Sequence, residues 1–101
     1  MVRHGIEMPS EEWLADFCAR HRVRKLSFFG SFTREDFGPE SDIDVLVEFQ
    51  PEARVGFEFF EMEREVSEAF GRTVELNTPN SLSRYFREEV LAEAEEAYVG
   101  A

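Results

Sequence analysis

A Gly-Ser turn followed by an Asp-Ile-Asp strand constrains the fold of this chain more than any other part of the sequence. The strand is predicted from Asp42 to Phe49, where branched and aromatic residues predominate. Because side chains alternate along a strand, Asp42 and Asp44 are expected on the same face. Two neighbouring carboxylates repel each other, and a divalent cation such as Mg²⁺ removes that repulsion. The pattern predicts a metal site at the start of this strand. The alternative is a solvent-facing pair of acids.

The turn formed by Gly30 and Ser31 is predicted to lead from an earlier strand, residues 23–29, into a short polar helix. Glycine lets the backbone approach a phosphate closely, and a turn that opens a helix offers free N–H groups to an anion. The Ser31 hydroxyl could donate to a phosphate, or it could simply cap the helix. A phosphate beside a carboxylate-bound metal is the arrangement that nucleotidyl transfer requires.

Further candidates come from charged residues elsewhere in the chain. Glu75 lies on the polar face of a short predicted strand, residues 73–77, and would reach the two aspartates if the strands are neighbours. Arg34 is predicted one turn into the short helix, where its guanidinium could reach a phosphate or a partner. The alternative for Glu75 is an ordinary exposed glutamate. The alternative for Arg34 is an exposed arginine that pairs with a nearby acid. Three more arginines could supply a basic patch, although ion pairs with nearby glutamates are favoured: Arg72, Arg84 and Arg87.

The turn and strand resemble the signature of the DNA polymerase β-like nucleotidyltransferase superfamily, and the short chain resembles its minimal nucleotidyltransferase (MNT) family. The matching residues are Gly30-Ser31, Arg34, Asp36 and Ser41-Asp42-Ile43-Asp44. The resemblance implies a mixed sheet in the nucleotidyltransferase fold, two Mg²⁺ ions held by Asp42 and Asp44, and ATP as nucleotide donor. MNT proteins are paired with HEPN-domain proteins in toxin–antitoxin modules. The implied reaction is transfer of AMP to a tyrosine of a HEPN toxin, with this chain as the antitoxin.

Glu75 is the position at which the chain departs from the family pattern. Relatives usually carry Asp there, which helps to bind the metal or acts as base toward the incoming hydroxyl, so the resemblance makes Glu75 the third site carboxylate. Glutamate is one methylene longer, and a misplacement of about 1 Å can cost about 10²-fold in rate. This departure supports a rival hypothesis, a weak or inactive antitoxin that blocks its partner sterically through the segment Phe57–Phe60. The phenylalanines of this segment either fill a thick core or form an exposed partner surface, and the exposed surface is favoured. A small-molecule nucleotidyltransferase is a third hypothesis, but it would normally need an additional substrate-binding domain.

Composition limits the remaining function classes. The 101 residues include 22 acidic and 11 basic side chains, for a formal net charge of −11. An acidic surface repels a phosphate backbone, so stable nucleic-acid binding is not expected. The single cysteine, Cys18, excludes an internal disulfide, and the sequence has neither a membrane-spanning apolar run nor a signal peptide. A cytoplasmic protein with one domain over residues 1–101 is therefore expected.

The order of predicted elements is α-β-α-β-α-β-α, which indicates a small α/β (α+β) fold with helices packed on a short mixed sheet. Ser10 followed by acidic residues predicts the start of the first helix, and Gly71 predicts the end of the third. Residues 1–9 are expected to be a loose leader. The longer predicted helices cover residues 11–21, 56–70 and 82–98, and the predicted strands cover residues 23–29, 42–49 and 73–77.

Overall fold

The computed structural model describes residues 2–100, so Met1, in the predicted leader, and Ala101, at the end of the predicted domain, lie outside it. The strands within this range are β1 (Val2–Arg3), β2 (Ile6–Glu7), β3 (Val23–Phe29), β4 (Ile43–Phe49), β5 (Val74–Asn77) and β6 (Glu95–Val99). The α-helices are α1 (Glu11–His21), α2 (Glu58–Phe70) and α3 (Arg87–Glu93), and two 3₁₀ helices cover Gly30–Thr33 and Pro79–Ser81. Within residues 2–100, the helices are too short or too polar to span a membrane.

Four strands form one mixed sheet in the order β5-β4-β3-β6. Strand β3 runs antiparallel to both of its neighbours, β4 and β6, whereas β5 runs parallel to β4. A parallel pair needs a long crossover connection, and α2 provides it between β4 and β5. The predicted fold class, helices packed on a short mixed sheet, is confirmed.

The main core lies between this sheet and the helices α1 and α2. Phe17 of α1 and Met62 of α2 are fully buried, and both belong to the same cluster as Phe28 and Val45 of the sheet. Phe28 and Val45 are cross-strand partners and therefore project from the same face. The apolar residues at alternate positions of β3 and β4 thus fix which face receives the helices.

The predicted helix boundaries at Ser10 and Gly71 are confirmed. The N–H of Trp13 donates to Ser10 Oγ at 3.1 Å, and two acidic residues follow in the first turn of α1. At the other boundary, Gly71 ends α2 in the left-handed conformation with φ of 66°. Both arrangements satisfy backbone groups that would otherwise lack partners at a helix end.

The N-terminal residues form a β-hairpin rather than the expected loose leader. Strands β1 and β2 are antiparallel, with Val2 opposite Glu7 and Arg3 opposite Ile6. The turn between them, His4-Gly5, has positive φ at both residues, 53° and 77°, as a type I′ turn requires. Each strand has only two residues, which is too short to display an alternating pattern in the sequence.

The predicted helix over residues 82–98 is wrong at both ends, because helix α3 begins only at Arg87. Helix α3 ends at Glu93, and the following residues form β6 beside β3, with Glu95 opposite Phe28 and Glu96 opposite Ser27. Glutamate and alanine favour a helix when the segment is considered alone. The free edge of β3 nevertheless carries N–H and C=O groups that need partners, so pairing with β3 overrides the local preference. The last element within residues 2–100 is therefore a strand, and the predicted element order changes accordingly.

Candidate active site

The predicted carboxylates lie at the same end of the sheet, where β3 ends and where β4 and β5 begin. Asp44 lies opposite Phe29 of β3 on one side and opposite Glu75 of β5 on the other. Cross-strand partners project from the same face of a sheet, so Asp44 and Glu75 share a face. Asp42 is exposed and lies one residue before the start of β4. The strand that carries Glu75 is therefore the neighbour of the strand that carries Asp44, as the assignment of Glu75 to the site required.

The electrostatics of Asp44 link all three carboxylates. Burial raises the pKa of the half-buried Asp44 carboxyl above its ordinary value, and the negative charges of Glu75 and Asp42 raise this pKa further. The positive charge of Arg34 acts in the opposite direction. Desolvation and like charge both disfavour the ionised form of a carboxyl. This end of the sheet therefore concentrates negative charge that a bound cation would neutralise.

Gly30 packs directly against Asp44. Its φ is +69°, a conformation that side chains rarely adopt, and a β-carbon at this position would lie 2.5 Å from Asp44 Oδ2. Glycine tolerates the conformation and leaves room for the carboxylate because it has no β-carbon. Two independent requirements, backbone conformation and close contact, thus select glycine at this turn.

The segment after the turn is a single 3₁₀ turn, Gly30–Thr33, and not the predicted polar helix. Phe32 is fully buried within it and belongs to the core. Thr33 Oγ1 donates to the Gly30 carbonyl oxygen at 2.8 Å, and the Arg34 amide donates to the Ser31 carbonyl oxygen at 2.9 Å. Ser31 is half-buried and directly follows the glycine that contacts Asp44. The prediction of a polar helix did not account for the burial of Phe32.

Arg34 lies just beyond this 3₁₀ helix and not within a helix. Its Nε donates to Asp36 Oδ1 at 3.2 Å, and both side chains are largely exposed. The surface ion pair considered from the sequence is therefore present. The Arg34 charge nevertheless acts on Asp44, so the side chain is also part of the electrostatic environment of the site.

The three carboxylates do not form a closed metal-binding cage. Within residues 2–100, no group of three or more His, Cys, Asp or Glu side chains converges closely enough to hold a metal ion alone. Mg²⁺ commonly binds through one or two carboxylates and completes its octahedral coordination with water and substrate phosphates. Asp42 and Asp44 offer the oxygen donors that this open mode uses, and the pKa of Asp44 is raised first by burial and then by the negative charges of Glu75 and Asp42. The residues present therefore fit Mg²⁺ bound together with a nucleotide.

Arg72 holds the connection between β3 and β4, a role that the sequence analysis missed. Its guanidinium carbon lies 4.7 Å from the centre of the Phe37 ring, and its Nη2 donates to the Gly38 carbonyl oxygen. The other two arginines of the predicted basic patch make separate contacts, Arg84 with the Tyr85 ring and Arg87 with the Leu82 carbonyl oxygen. The sequence carries no signal for the hydrogen bonds of Arg72 and Arg87, because a carbonyl acceptor leaves no side-chain pattern.

The segment Phe57–Phe60 presents two phenylalanines to solvent. Phe57 is 89% exposed and Phe60 is 72% exposed, whereas Phe59 packs against the core. Phe59 and Phe60 also border an open cavity of about 430 Å³ that reaches Phe49. The expectation that part of this segment is exposed is confirmed for Phe57 and Phe60.

Comparisons with known proteins identify the family of this chain. Residues 11–97, most of the chain, match the model of the nucleotidyltransferase domain family. An inferred protein adenylyltransferase of Methanocaldococcus jannaschii is 35% identical over 75 residues, covering 74% of this chain and 80% of that protein. The protein adenylyltransferase MntA of Thermococcus cleftensis is 34% identical over 74 residues, covering 73% of this chain and 74% of that protein.

A solved structure supports the fold independently. It contains a tri-AMPylated Shewanella oneidensis HEPN toxin in complex with an MNT antitoxin. The match covers 90% of this chain and 70% of the matched chain in that structure, with a TM-score of 0.62. Its sequence identity of 17% means that the match concerns the fold alone. The predicted resemblance is confirmed by the family match and by the identity to adenylyltransferases. The chain is a nucleotidyltransferase and belongs to the nucleotidyltransferase domain family.

Proposed function

We propose that this chain transfers AMP from ATP, in a Mg²⁺-dependent reaction, to a tyrosine of a HEPN-domain toxin and thereby acts as its antitoxin. The observation that carries the proposal is the packing of Gly30 against Asp44, with Asp42 and Glu75 within electrostatic range. A triphosphate bound along the Gly30-Ser31 turn would lie beside the carboxylates that hold its cation. The names of two relatives, both protein adenylyltransferases, support protein as the acceptor, and the solved toxin–antitoxin complex supports a HEPN partner.

The proposed reaction assigns a distinct role to each residue. The acceptor oxygen attacks the α-phosphorus of ATP, a new P–O bond forms, the bond to the β-phosphate breaks, and pyrophosphate leaves. The hydroxyl proton passes to a carboxylate, for which Glu75 is assigned. Asp42 and Asp44 would hold Mg²⁺, with Glu75 as the third candidate ligand, and the cation would supply charge neutralisation at the reacting phosphate. Ser31 and the backbone at Gly30 bind the phosphates, and Arg34 adds positive charge.

The test is the intact mass of a co-encoded HEPN-domain protein after incubation with this chain, ATP and Mg²⁺. We expect mass gains of whole AMP units with the wild type and no gain with Asp42→Asn/Asp44→Asn. Glu12→Gln/Asp16→Asn is the matched control, because it removes the same charge from two exposed positions of α1. Modification of the partner by the Asp42→Asn/Asp44→Asn variant would refute the metal assignment.

The exposed phenylalanines favour a second candidate function, neutralisation by binding alone. Phe57 and Phe60 present an apolar surface that a monomeric protein would otherwise bury, and such surfaces commonly mark interaction sites. A steric antitoxin should still neutralise its toxin when Asp42 and Asp44 are changed to Asn, and should fail when Phe57 and Phe60 are changed to Ser. A catalytic antitoxin should fail with the aspartate variant, so the two pairs of substitutions separate the hypotheses.

A further inference from the structure

The N-terminal hairpin contacts the turn that the proposed function assigns to phosphate binding. The hairpin, residues 2–7, lies outside residues 11–97, which match the family. At its tip, His4 Nε2 lies 2.9 Å from the carbonyl oxygen of Phe32, within the 3₁₀ helix that begins at Gly30. A carbonyl oxygen only accepts a hydrogen bond, so Nε2 is the donor. The hairpin and the turn are therefore joined directly.

Ring contacts reinforce this junction. The His4 ring lies 5.4 Å from the Phe32 ring and 4.8 Å from the Phe37 ring, measured between centroids. The guanidinium carbon of Arg3 lies 5.1 Å from the centre of the Phe32 ring, which is fully buried. Arg3 is itself held by two hydrogen bonds to the Glu95 carboxylate of β6, at 3.2 and 2.6 Å. The hairpin is thus fixed to the sheet on one side and to the turn on the other.

The backbone conformation of His4 favours a functional explanation for this arrangement. Its φ of 53° lies in the left-handed region, where Asn or Gly is preferred at this position of a type I′ turn. Such conformations persist where surrounding contacts determine them, and they concentrate at functional sites. An asparagine would suit the turn better, but its shorter side chain would fall short of the Phe32 carbonyl oxygen. Histidine tolerates the left-handed conformation, and its longer side chain reaches the Phe32 carbonyl oxygen.

We propose that His4 is a positioning residue that preorganises the Gly30–Thr33 turn for a nucleoside triphosphate. A turn that is already held in its binding conformation loses less conformational freedom when the phosphates bind. Arg72 holds the same connection at its other end through Phe37 and Gly38, so the segment between β3 and β4 is fixed at two points. The triphosphate in this inference rests on the proposed function, whereas the mechanical support of the turn does not.

Two substitutions separate the hydrogen bond from the turn preference. His4→Asn keeps a residue that suits the type I′ turn but shortens the side chain, so that its amide donor no longer reaches the Phe32 carbonyl oxygen. His4→Gln restores a donor on a longer side chain. In nucleotide-free protein, the exchange rate of the Arg34 amide reports opening of the turn, because this amide donates to Ser31. We expect His4→Asn to accelerate this exchange by about threefold to tenfold, as the loss of one hydrogen bond implies, and His4→Gln to stay near the wild-type rate. The Gly71 amide, which donates to Glu68, is the internal control and should not change.

The second arm measures binding of a non-hydrolysable ATP analogue in the presence of Mg²⁺. We expect His4→Asn to raise the Kd by about threefold to tenfold and His4→Gln to restore it, since preorganisation acts on binding. Three outcomes would overturn the inference. The exchange rate of the Arg34 amide could be unchanged in His4→Asn, or it could rise equally in His4→Asn and His4→Gln. The exchange rate of the Gly71 amide could also rise in parallel with that of Arg34. An unchanged Kd in His4→Asn would overturn the positioning role. Failure of the wild type to bind the analogue, with the exchange result as expected, would refute the proposed function and leave the support of the turn established.

Discussion

Replacement of Gly30 by alanine tests the contact on which the proposed site depends. The substitution adds a β-carbon to a residue with φ of +69°, and that carbon would lie 2.5 Å from Asp44 Oδ2. Gly71 offers a matched control, because its φ is +66° and no described atom lies within 4 Å of the position of its β-carbon. Both alanines impose the same backbone strain, and only the alanine at position 30 meets the carboxylate.

The structure allows the two effects to be estimated separately. A left-handed residue with a β-carbon costs about 1–2 kcal/mol, which corresponds to a fall in Tm of roughly 4–16 °C for a domain of this size. Ordinary van der Waals contact begins at 3.4 Å, so Asp44 Oδ2 must move by almost 1 Å to accommodate the new carbon. A carboxylate at the end of a side chain can rotate away at little cost in stability. A displacement of about 1 Å in a reacting group, however, can lower the rate by about 10²-fold.

The assay combines thermal unfolding with the rate of AMP transfer to the HEPN-domain partner. Gly30→Ala and Gly71→Ala should lower the Tm by similar amounts, whereas only Gly30→Ala should lose activity, by about 10²-fold. Both rates are measured well below the lower Tm, so that each variant is folded. If Gly30→Ala and Gly71→Ala transferred AMP at equal rates, the contact between Gly30 and Asp44 would have no role in the reaction. If Gly30→Ala were far less stable than Gly71→Ala, the Asp44 side chain could not rotate away from the new β-carbon. The claim that this rotation costs little stability would then be refuted.

Three further predictions concern the carboxylate cluster, the cysteine and the core. Without divalent cations, Asp44→Asn should raise the Tm near neutral pH, because it removes a carboxyl whose pKa is raised in the fold by burial and by neighbouring negative charges. Above that raised pKa, the ionised Asp44 carboxylate destabilises the fold. The gain in Tm should therefore shrink as the pH falls and disappear below the ordinary pKa of 3.8. A gain in Tm that does not depend on pH would contradict this cause. Burial raises the pKa of the Cys18 thiol to about 12, so iodoacetamide should alkylate it in guanidinium and not in the folded protein, and rapid alkylation of the folded protein would show that the thiol is accessible. Met62→Ala, at a fully buried position, should lower the free energy of unfolding in urea by about 2–5 kcal/mol, and a loss below about 1 kcal/mol would mean that the core collapses around the gap.

The central strands were predictable because their local pattern and their environment agree. Strand β4 alternates between residues that face the helices and residues that face the other side, and Asp44 is the one acid among its first five residues. Glu75 could be assigned to a short strand, but its position opposite Asp44 depends on the pairing of β5 with β4. That pairing is a property of the folded sheet, so the sequence supported the cluster only under an assumption about neighbouring strands.

The missed features depend on contacts between distant parts of the chain. Strand β6 forms because β3 offers an unpaired edge, although Glu95, Glu96 and Ala97 favour a helix locally. The hairpin is held by Arg3 and His4 through partners about thirty to ninety residues away. The His4-Gly5 pair was the available signal, since a residue that tolerates positive φ followed by glycine is typical of a two-residue hairpin turn. Its contact with Phe32 has no counterpart in the local sequence.

The pairing of β3 with both β4 and β6 has a consequence for how the chain folds. Strand β4 is the next strand after β3, whereas β6 comes last along the described chain. Closing a longer loop costs more conformational entropy, so the β3–β4 pair is expected to form before β6 joins the sheet. Until then, one edge of β3, including Leu26 and Phe28, lacks its covering strand. A folding intermediate of this protein would therefore expose a template for strand addition, and deletion of Glu95–Val99 should convert that transient edge into a persistent site of aggregation.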